Sequence, residues 1–271
     1  MISRTFVLGK TERLCVIIYP MEYLITGVLG LLVGSFLNVC IYRLPKGRSV
    51  VAPASACAEC GKKLTAAELI PVLSYLFLRG KCRGCGKPIS FRYPAVEALT
   101  ALLFLACLWR FGVGTRMVFG TVFASILVAA SFIDLDTMEL PDSASLACAA
   151  TGLLYGLAVK QSLLYSLYGA AAGFLIMYII GRAGSALYKK EAMGGGDIKL
   201  MAGAGAFLGW QGVLLAIYLG FLTALVFLLP ALLTGARKRQ DAVPFGPALA
   251  AGAFAAFLFG DLIWHWYLGM L

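Results

Sequence analysis

The stretch GVLLAIYLGFLTALVFLLPALLT at residues 212–234 contains no charged side chain from end to end. A membrane-spanning helix needs about 20 consecutive, predominantly apolar residues. This stretch therefore predicts a helix within a lipid bilayer. The whole chain agrees with that prediction, because a mean hydropathy of +0.88 with only 13% charged residues exceeds what the core of a soluble 271-residue protein requires.

Further apolar stretches on both sides of this one predict an all-α polytopic membrane protein with about eight transmembrane helices. The sixth predicted span is short. The predicted spans are residues 22–42, 95–111, 117–134, 144–159, 161–181, 198–210, 212–234 and 245–268.

The formal net charge of +10 has a topological explanation. Lysine and arginine gather in alternate connections, at residues 43–94, 181–199 and 235–244. Positively charged connections stay in the cytosol, so residues 43–94 are predicted to be cytosolic and both termini to lie outside. The excess of lysine and arginine therefore reflects the orientation of the chain in the lipid bilayer, which is its expected partner. No nucleic-acid partner is expected.

The long connection at residues 43–94 contains two CxxC pairs, Cys57 with Cys60 and Cys82 with Cys85. A connection of this length without organisation of its own would be unusual. Two CxxC pairs in one segment are typical of paired turns, or knuckles, that present four thiolates to a zinc ion. Two disulfides, or four unligated thiols, are the alternatives for a segment placed in the reducing cytosol. We expect a zinc-ribbon-like loop with a structural zinc ion.

The predicted organisation has four parts. Residues 1–21 form an N-terminal tail, 22–42 the first transmembrane helix, 43–94 the cytosolic zinc-binding loop domain and 95–271 a seven-helix membrane core. The tail begins with a basic stretch, and the apolar run after that stretch is interrupted by Pro20 and Glu22, so one hypothesis places the translation start at Met21.

Two acidic stretches lie at predicted cytosolic helix ends: IDLDTMELPD at residues 133–142 and GGGDIKL at residues 194–200. Two carboxylates placed close together cannot both ionise at low cost, so one can activate water while the other donates a proton to a leaving group. That pattern favours a hydrolase. Structural roles compete with it, since Asp142 and Asp197 are suitable helix N-caps and Asp136 and Glu139 suit a solvated turn.

Six stretches in combination resemble the bacterial type IV prepilin peptidases, the leader peptidases of the GxGD membrane aspartyl protease group. The resemblance extends from about Met21 over nearly the whole remaining chain. It rests on GSFLNVCIYRLPKG (34–47), the two CxxC knuckles, ISFRYPAVE (89–97), IDLDTMELPD (133–142), EAMGGGDIKL (191–200) and PFGPALAAGA (244–253).

The resemblance implies cleavage of a basic leader from type IV prepilins or type II secretion pseudopilins at the cytosolic face of the bacterial inner membrane. The family's first catalytic aspartate lies seven positions before the proline of LPD, which is Asp134 here. The second is the aspartate of GxGD, Asp197, with Gly194 and Gly196 as the motif glycines that let a substrate backbone approach.

The resemblance further implies methylation of the new N-terminus with S-adenosylmethionine, because members that retain the cysteine loop carry both activities. No glycine-rich nucleotide loop is apparent, so the methyl-donor residues are not predicted. Asn38, Arg43, Arg92 and Glu97 flank the loop, where snorkelling or helix-end pairing explains them at least as well. His265, between two tryptophans, suits an interfacial aromatic belt.

Other functions stay open at this point. A peptidase without methylation would have the same sequence features. A transporter with aspartates at the membrane boundary would need acids nearer the bilayer centre and an inverted repeat, and neither is evident. A non-catalytic assembly factor would leave the GGGD and LPD elements unexplained.

Overall fold

The computed structural model describes residues 10–57, 59–189, 193–233 and 243–270, and these ranges are predominantly helical. No strand occurs within them, so the all-α prediction is confirmed. The α-helices are α1 Lys10–Arg43, α2 Leu73–Phe77, α3 Arg92–Phe111, α4 Thr115–Thr137, α5 Asp142–Ala158, α6 Leu163–Tyr188, α7 Gly195–Leu233 and α8 Gly246–Leu268.

Six helices in these described ranges are long and apolar enough to cross a membrane, namely α1, α3, α4, α6, α7 and α8. α5 has 17 residues and coincides with the predicted span at residues 144–159, at the short end of the length that a crossing needs. The multi-pass membrane architecture is therefore confirmed. α1 begins at Lys10, within the predicted N-terminal tail.

α7 contains the predicted span at residues 198–210 and, as far as Leu233, the span predicted at residues 212–234. Between its two halves lies Gly209, whose backbone is not helical (φ 69°, ψ 175°). In an uninterrupted helix Met201 and Val213 would lie about 18 Å apart. A Cβ atom built on Gly173 of α6 would nevertheless contact both the Met201 carbonyl oxygen and the Val213 side chain. The chain therefore turns back at Gly209, and α7 is a pair of antiparallel helices.

Aromatic rings fill the core between α4, α5, α7 and α8. Phe123 stacks on Phe207 with ring centroids 4.4 Å apart, and Tyr155 packs edge-on against Phe119 at 5.6 Å. Elsewhere glycine permits close helix contact: a Cβ on Gly34 of α1 would lie 2.7 Å from the Glu97 Cα of α3. Such small residues let helix backbones approach where lipid provides no hydrophobic driving force.

Candidate active site

The two predicted aspartates lie at helix ends that meet at one cavity. Asp134 is in the last turn of α4 and is 5% exposed, whereas Asp197 is in the first turn of α7. The cavity has a volume of about 250 Å³, and the connection between α4 and α5 forms its other wall. Its lining residues are Asp134, Met138, Glu139, Leu140, Gly194, Gly195, Gly196 and Asp197.

The carboxylate of Asp134 is held by the first residue of α8. The backbone N–H of Gly246 donates a hydrogen bond of 2.8 Å to Asp134 Oδ2, in buried surroundings. A Cβ atom at position 246 would lie 2.8 Å from the same oxygen, so only glycine leaves room for this contact. Gly246 lies in the stretch PFGPALAAGA, and no local motif there predicts a contact with Asp134.

The carboxylate of Asp197 has a different environment. Its backbone N–H donates to the Gly194 carbonyl at 3.2 Å, which fixes the start of α7. Its Oδ1 is buried and has no hydrogen-bond partner among the described residues. The carboxylates of Asp134 and Asp197 lie within electrostatic range of each other. One oriented carboxylate beside one with an open acceptor is an arrangement suited to activating water and transferring a proton.

The motif glycines differ in their contacts. Gly194 and Gly195 are exposed, and a Cβ on Gly195 would meet nothing within 4 Å. A Cβ on Gly196 would lie 2.7 Å from the Cβ of Leu140. Gly196 therefore lets α7 approach the connection that follows α4, while a substrate-binding role for Gly194 and Gly196 stays a prediction.

Of the other three acids near Asp134 and Asp197, two form ion pairs and one is exposed at the cavity. Asp142 is the first residue of α5 and makes no capping bond; its carboxylate pairs with Lys199 at 2.6 Å, so the N-cap interpretation was wrong. Asp136 is bound by Arg92 at 2.5 Å. Glu139 is exposed and lines the cavity, a position that the solvated-turn interpretation did not anticipate.

The four predicted cysteine ligands come together in the connection between α1 and α3. The sulfur atoms of Cys57, Cys60, Cys82 and Cys85 all lie within 4.8 Å of one another, and none forms a disulfide. The knuckles have the same backbone bonds, since the N–H groups of Gly61 and Gly86 donate to the carbonyls of Cys57 and Cys82, each at 2.9 Å. A four-thiol cluster on paired turns suits a structural metal site.

Backbone donors around the first cysteine of the second knuckle favour a thiolate. The backbone N–H groups of Cys85 and then Gly84 lower the pKa of the Cys82 thiol to about 6. The N–H of Gly84 lies 3.3 Å from the Cys82 sulfur. The Lys87 N–H lowers the pKa of Cys85, but burial and the neighbouring thiols outweigh it and raise that pKa to about 11. Since metals bind the deprotonated form, the donors favour metal binding at Cys82 alone among these two thiols.

The four polar residues that flank the loop all make bonds within the chain. Glu97 accepts the Val72 N–H at 2.7 Å, and Asn38 donates to the Tyr93 carbonyl at 3.1 Å. Arg43 donates to the Pro53 carbonyl at 2.7 Å. The contacts of Glu97 and Arg43 attach the loop to α3 and α1. The Asn38 contact joins α1 to α3, and the pair between Arg92 and Asp136 joins α3 to α4. All four residues thus have the helix-end role considered for them.

The fold and site together define a polytopic membrane protein with paired aspartates at one end of its helices. Residues 28–111 match the family model described as bacterial peptidase A24 N-terminal domain, and residues 121–229 match that of the type IV leader peptidase family. No solved structure matches the chain.

Curated relatives extend the match over most of the chain. A protein of Aeromonas hydrophila is 40% identical over 264 residues, which cover 88% of this chain and 91% of that protein. One of Bacillus subtilis (strain 168) is 39% identical over 247 residues, covering 90% and 96%. Both are named prepilin leader peptidase/N-methyltransferase. The chain belongs to the type IV leader peptidase family.

Proposed function

We propose that the protein is a membrane aspartyl endopeptidase that removes the basic leader from type IV prepilins or type II secretion pseudopilins. The observation that carries this proposal is the meeting of Asp134 and Asp197 at one cavity. The names of the relatives from Aeromonas hydrophila and Bacillus subtilis support the substrate class.

In the proposed reaction, one carboxylate removes a proton from water while the water oxygen attacks the scissile carbonyl carbon. The other aspartate, which carries a proton as a carboxylic acid, gives that proton to the leaving nitrogen as the C–N bond breaks, which yields a new amine and a new carboxyl group. The Gly246 N–H keeps Asp134 oriented during these steps. Gly194 and Gly196 would let an extended substrate backbone lie close to Asp197.

We further propose that the protein methylates the new N-terminal amine with S-adenosylmethionine as methyl donor, as the relatives' names suggest. Cys57, Cys60, Cys82 and Cys85 would bind a zinc ion that orders the loop at residues 43–94. Zinc suits four thiolates in a closed site. The loop and the seven-helix core at residues 95–271 would be distinct parts of one enzyme.

The proposed location is the bacterial inner membrane, with the active site on the cytosolic side. Asp197 lies in the basic connection at residues 181–199, and Asp134 lines the same cavity as Asp197. A prepilin joins a basic leader to an apolar helix, so its scissile bond would lie at this boundary while the helix stays in lipid.

The decisive experiment is processing of a prepilin with a Gly-Phe junction by the wild type, Asp134→Ala and Asp197→Ala in lipid, followed by product mass spectrometry. We expect the wild type to release the leader and each folded variant to lose cleavage. With methyl donor present, the wild-type product should gain the mass of one CH2 unit, because a methyl group replaces a hydrogen on the new amine.

Asp136→Ala is the matched control, because Asp136 is paired with Arg92 and does not line the cavity. It should retain cleavage. If Asp134→Ala and Asp197→Ala cleave as well as the wild type, the two aspartates are structural and the peptidase assignment fails. Cleavage without methylation would remove only the transferase part.

A further inference from the structure

A second cavity of about 250 Å³ lies at the end of the molecule opposite the aspartates. Arg116, in the first turn of α4, lines it, whereas Asp134 is in the last turn of the same helix. The rise of a helix places these two residues about 27 Å apart. The cavity is therefore separate from the candidate active site.

Charged groups surround this second cavity. Arg116 and Lys160 supply two cations, and the Asp261 carboxylate lies 3.8 Å from Arg116. These three groups leave one net positive charge. The side chains of Arg116 and Asp261 are 44% and 63% exposed, so a ligand that enters the cavity can reach both charges.

A largely buried tyrosine lines the same space. Tyr155 lines the cavity and is 4% exposed, and its hydroxyl has no hydrogen-bond partner among the residues that the structure describes. Its phenol lies within electrostatic range of Arg116 and Asp261. The ring is fixed by Phe119 and Phe207, so the hydroxyl cannot turn elsewhere to find a partner. The hydroxyl is not among the buried side-chain atoms that lack a partner, so it is reachable from the cavity and can bond to a ligand or to water there.

The turn of α7 adds backbone donors. The second half of α7 begins after Gly209, and Trp210, Gln211 and Gly212 line the cavity. The first N–H groups of a helix lack partners within it and carry a partial positive charge. Helix starts with these properties bind phosphate in many proteins.

We propose that this cavity binds a phosphate group, supplied by the headgroup of a phospholipid or by free phosphate. The guanidinium of Arg116, the ammonium of Lys160, the Tyr155 hydroxyl and the backbone N–H groups are all donors, which suits phosphate oxygens. Aromatic walls that include Trp264 and Phe257 suit a site at a lipid boundary. The proposal is independent of the peptidase function.

The test is native mass spectrometry of the full-length protein with three probes: phosphatidylglycerol, diacylglycerol with the same acyl chains, and inorganic phosphate. The proteins are the wild type, the double variant Arg116→Gln/Lys160→Gln, and Arg110→Gln. Arg110 is a cation near the same end that bonds to the Leu258 carbonyl and does not line the cavity. Tyr155→Phe removes only the hydroxyl, and it keeps the test informative if the double variant does not fold.

We expect the wild type and Arg110→Gln to retain phosphatidylglycerol in preference to diacylglycerol. The double variant should bind it about tenfold more weakly or worse, because charge-assisted hydrogen bonds contribute strongly to affinity. Tyr155→Phe should weaken binding measurably. Inorganic phosphate that competes with the lipid would identify free phosphate as a second source. Equal retention of both lipids, or unchanged binding by the double variant and Tyr155→Phe, would overturn the proposal.

Discussion

At the scale of single residues, the Asp134 carboxylate depends on a backbone N–H group from another helix. Gly246 lies 112 residues further along the chain and still donates at 2.8 Å. The start of α8 is therefore part of the candidate site, although its only polar contribution to Asp134 is a main-chain group.

The variant Gly246→Ala should lose prepilin cleavage without unfolding. The added Cβ would lie 2.8 Å from Asp134 Oδ2, so the carboxylate must move. A displacement of about 1 Å at a reacting group can cost about a hundredfold in rate. The measurement is the cleavage rate at saturating substrate.

Gly260→Ala, in the same helix, is its control. A Cβ there would meet only Leu215 Cδ2, at an ordinary 3.9 Å. Its rate should equal that of the wild type. A Gly246→Ala enzyme as fast as this control would show that the contact between Gly246 and Asp134 is dispensable.

The sequence could predict Asp134 and Asp197 because short local motifs mark both residues. It could not predict the contact between Gly246 and Asp134, since nothing local to Gly246 specifies a partner in α4. It also misassigned Asp142, which pairs with Lys199 rather than capping α5. A side chain that can serve either as a cap or as an ion-pair partner is assigned only when the neighbouring helix is known.

At the scale of elements, α7 is a helical hairpin with a single non-helical residue at its turn. The hydrophobic pattern predicted both halves, with the first one short. The site of the reversal was not predicted, because Gly209 is one of 31 glycines and its backbone angles are set by packing against α6.

Gly209→Ala should destabilise the protein. Its backbone angles fall in a region that is essentially restricted to glycine, where another residue costs about 1–3 kcal/mol. A Cβ would also lie 2.5 Å from the Tyr165 ring. The thermal unfolding midpoint in detergent should fall.

Gly114→Ala is the comparison for that change, because a Cβ at Gly114 meets nothing within 4 Å and its backbone is extended. Its midpoint should stay near that of the wild type. Equal midpoints for the two variants would mean that the turn at Gly209 tolerates a side chain.

The cysteine loop leads to a prediction about metal content. The purified protein should contain one zinc ion per chain, and Cys82→Ser should lose most of it, because four thiolates complete the tetrahedral site. Elemental analysis by mass spectrometry measures this. Cys148→Ala, which alters a fully buried cysteine of the membrane core, should keep its zinc. Metal-free wild type with two disulfides would exclude the zinc site.

At the scale of the whole molecule, the two cavities lie at opposite ends of the helices. One adjoins the basic connection at residues 181–199, and the other contains the turn of α7. The charge pattern predicts that the first of these ends faces the cytosol, and this stays a prediction. Apolar periodicity could not locate either cavity. Cavities form where side chains from several helices fail to fill the space between them.

Labelling from one side of the membrane tests the orientation. Val113→Cys, between α3 and α4, should react with a membrane-impermeant maleimide in spheroplasts, since this residue is 68% exposed at the end predicted to lie outside. Val51→Cys, 87% exposed in the cysteine loop, should react only after permeabilisation. The reverse pattern would place the aspartates outside the cell.

The hydrogen bond from Gly246 to Asp134 also has a consequence for biogenesis. α4, α7 and α8 are synthesised in that order, so Asp134 is in the bilayer long before its N–H donor leaves the ribosome. The catalytic geometry is incomplete until α8 has entered the membrane. A partly synthesised chain would therefore be proteolytically silent, and the membrane would hold no active enzyme before the helical bundle is assembled around α8.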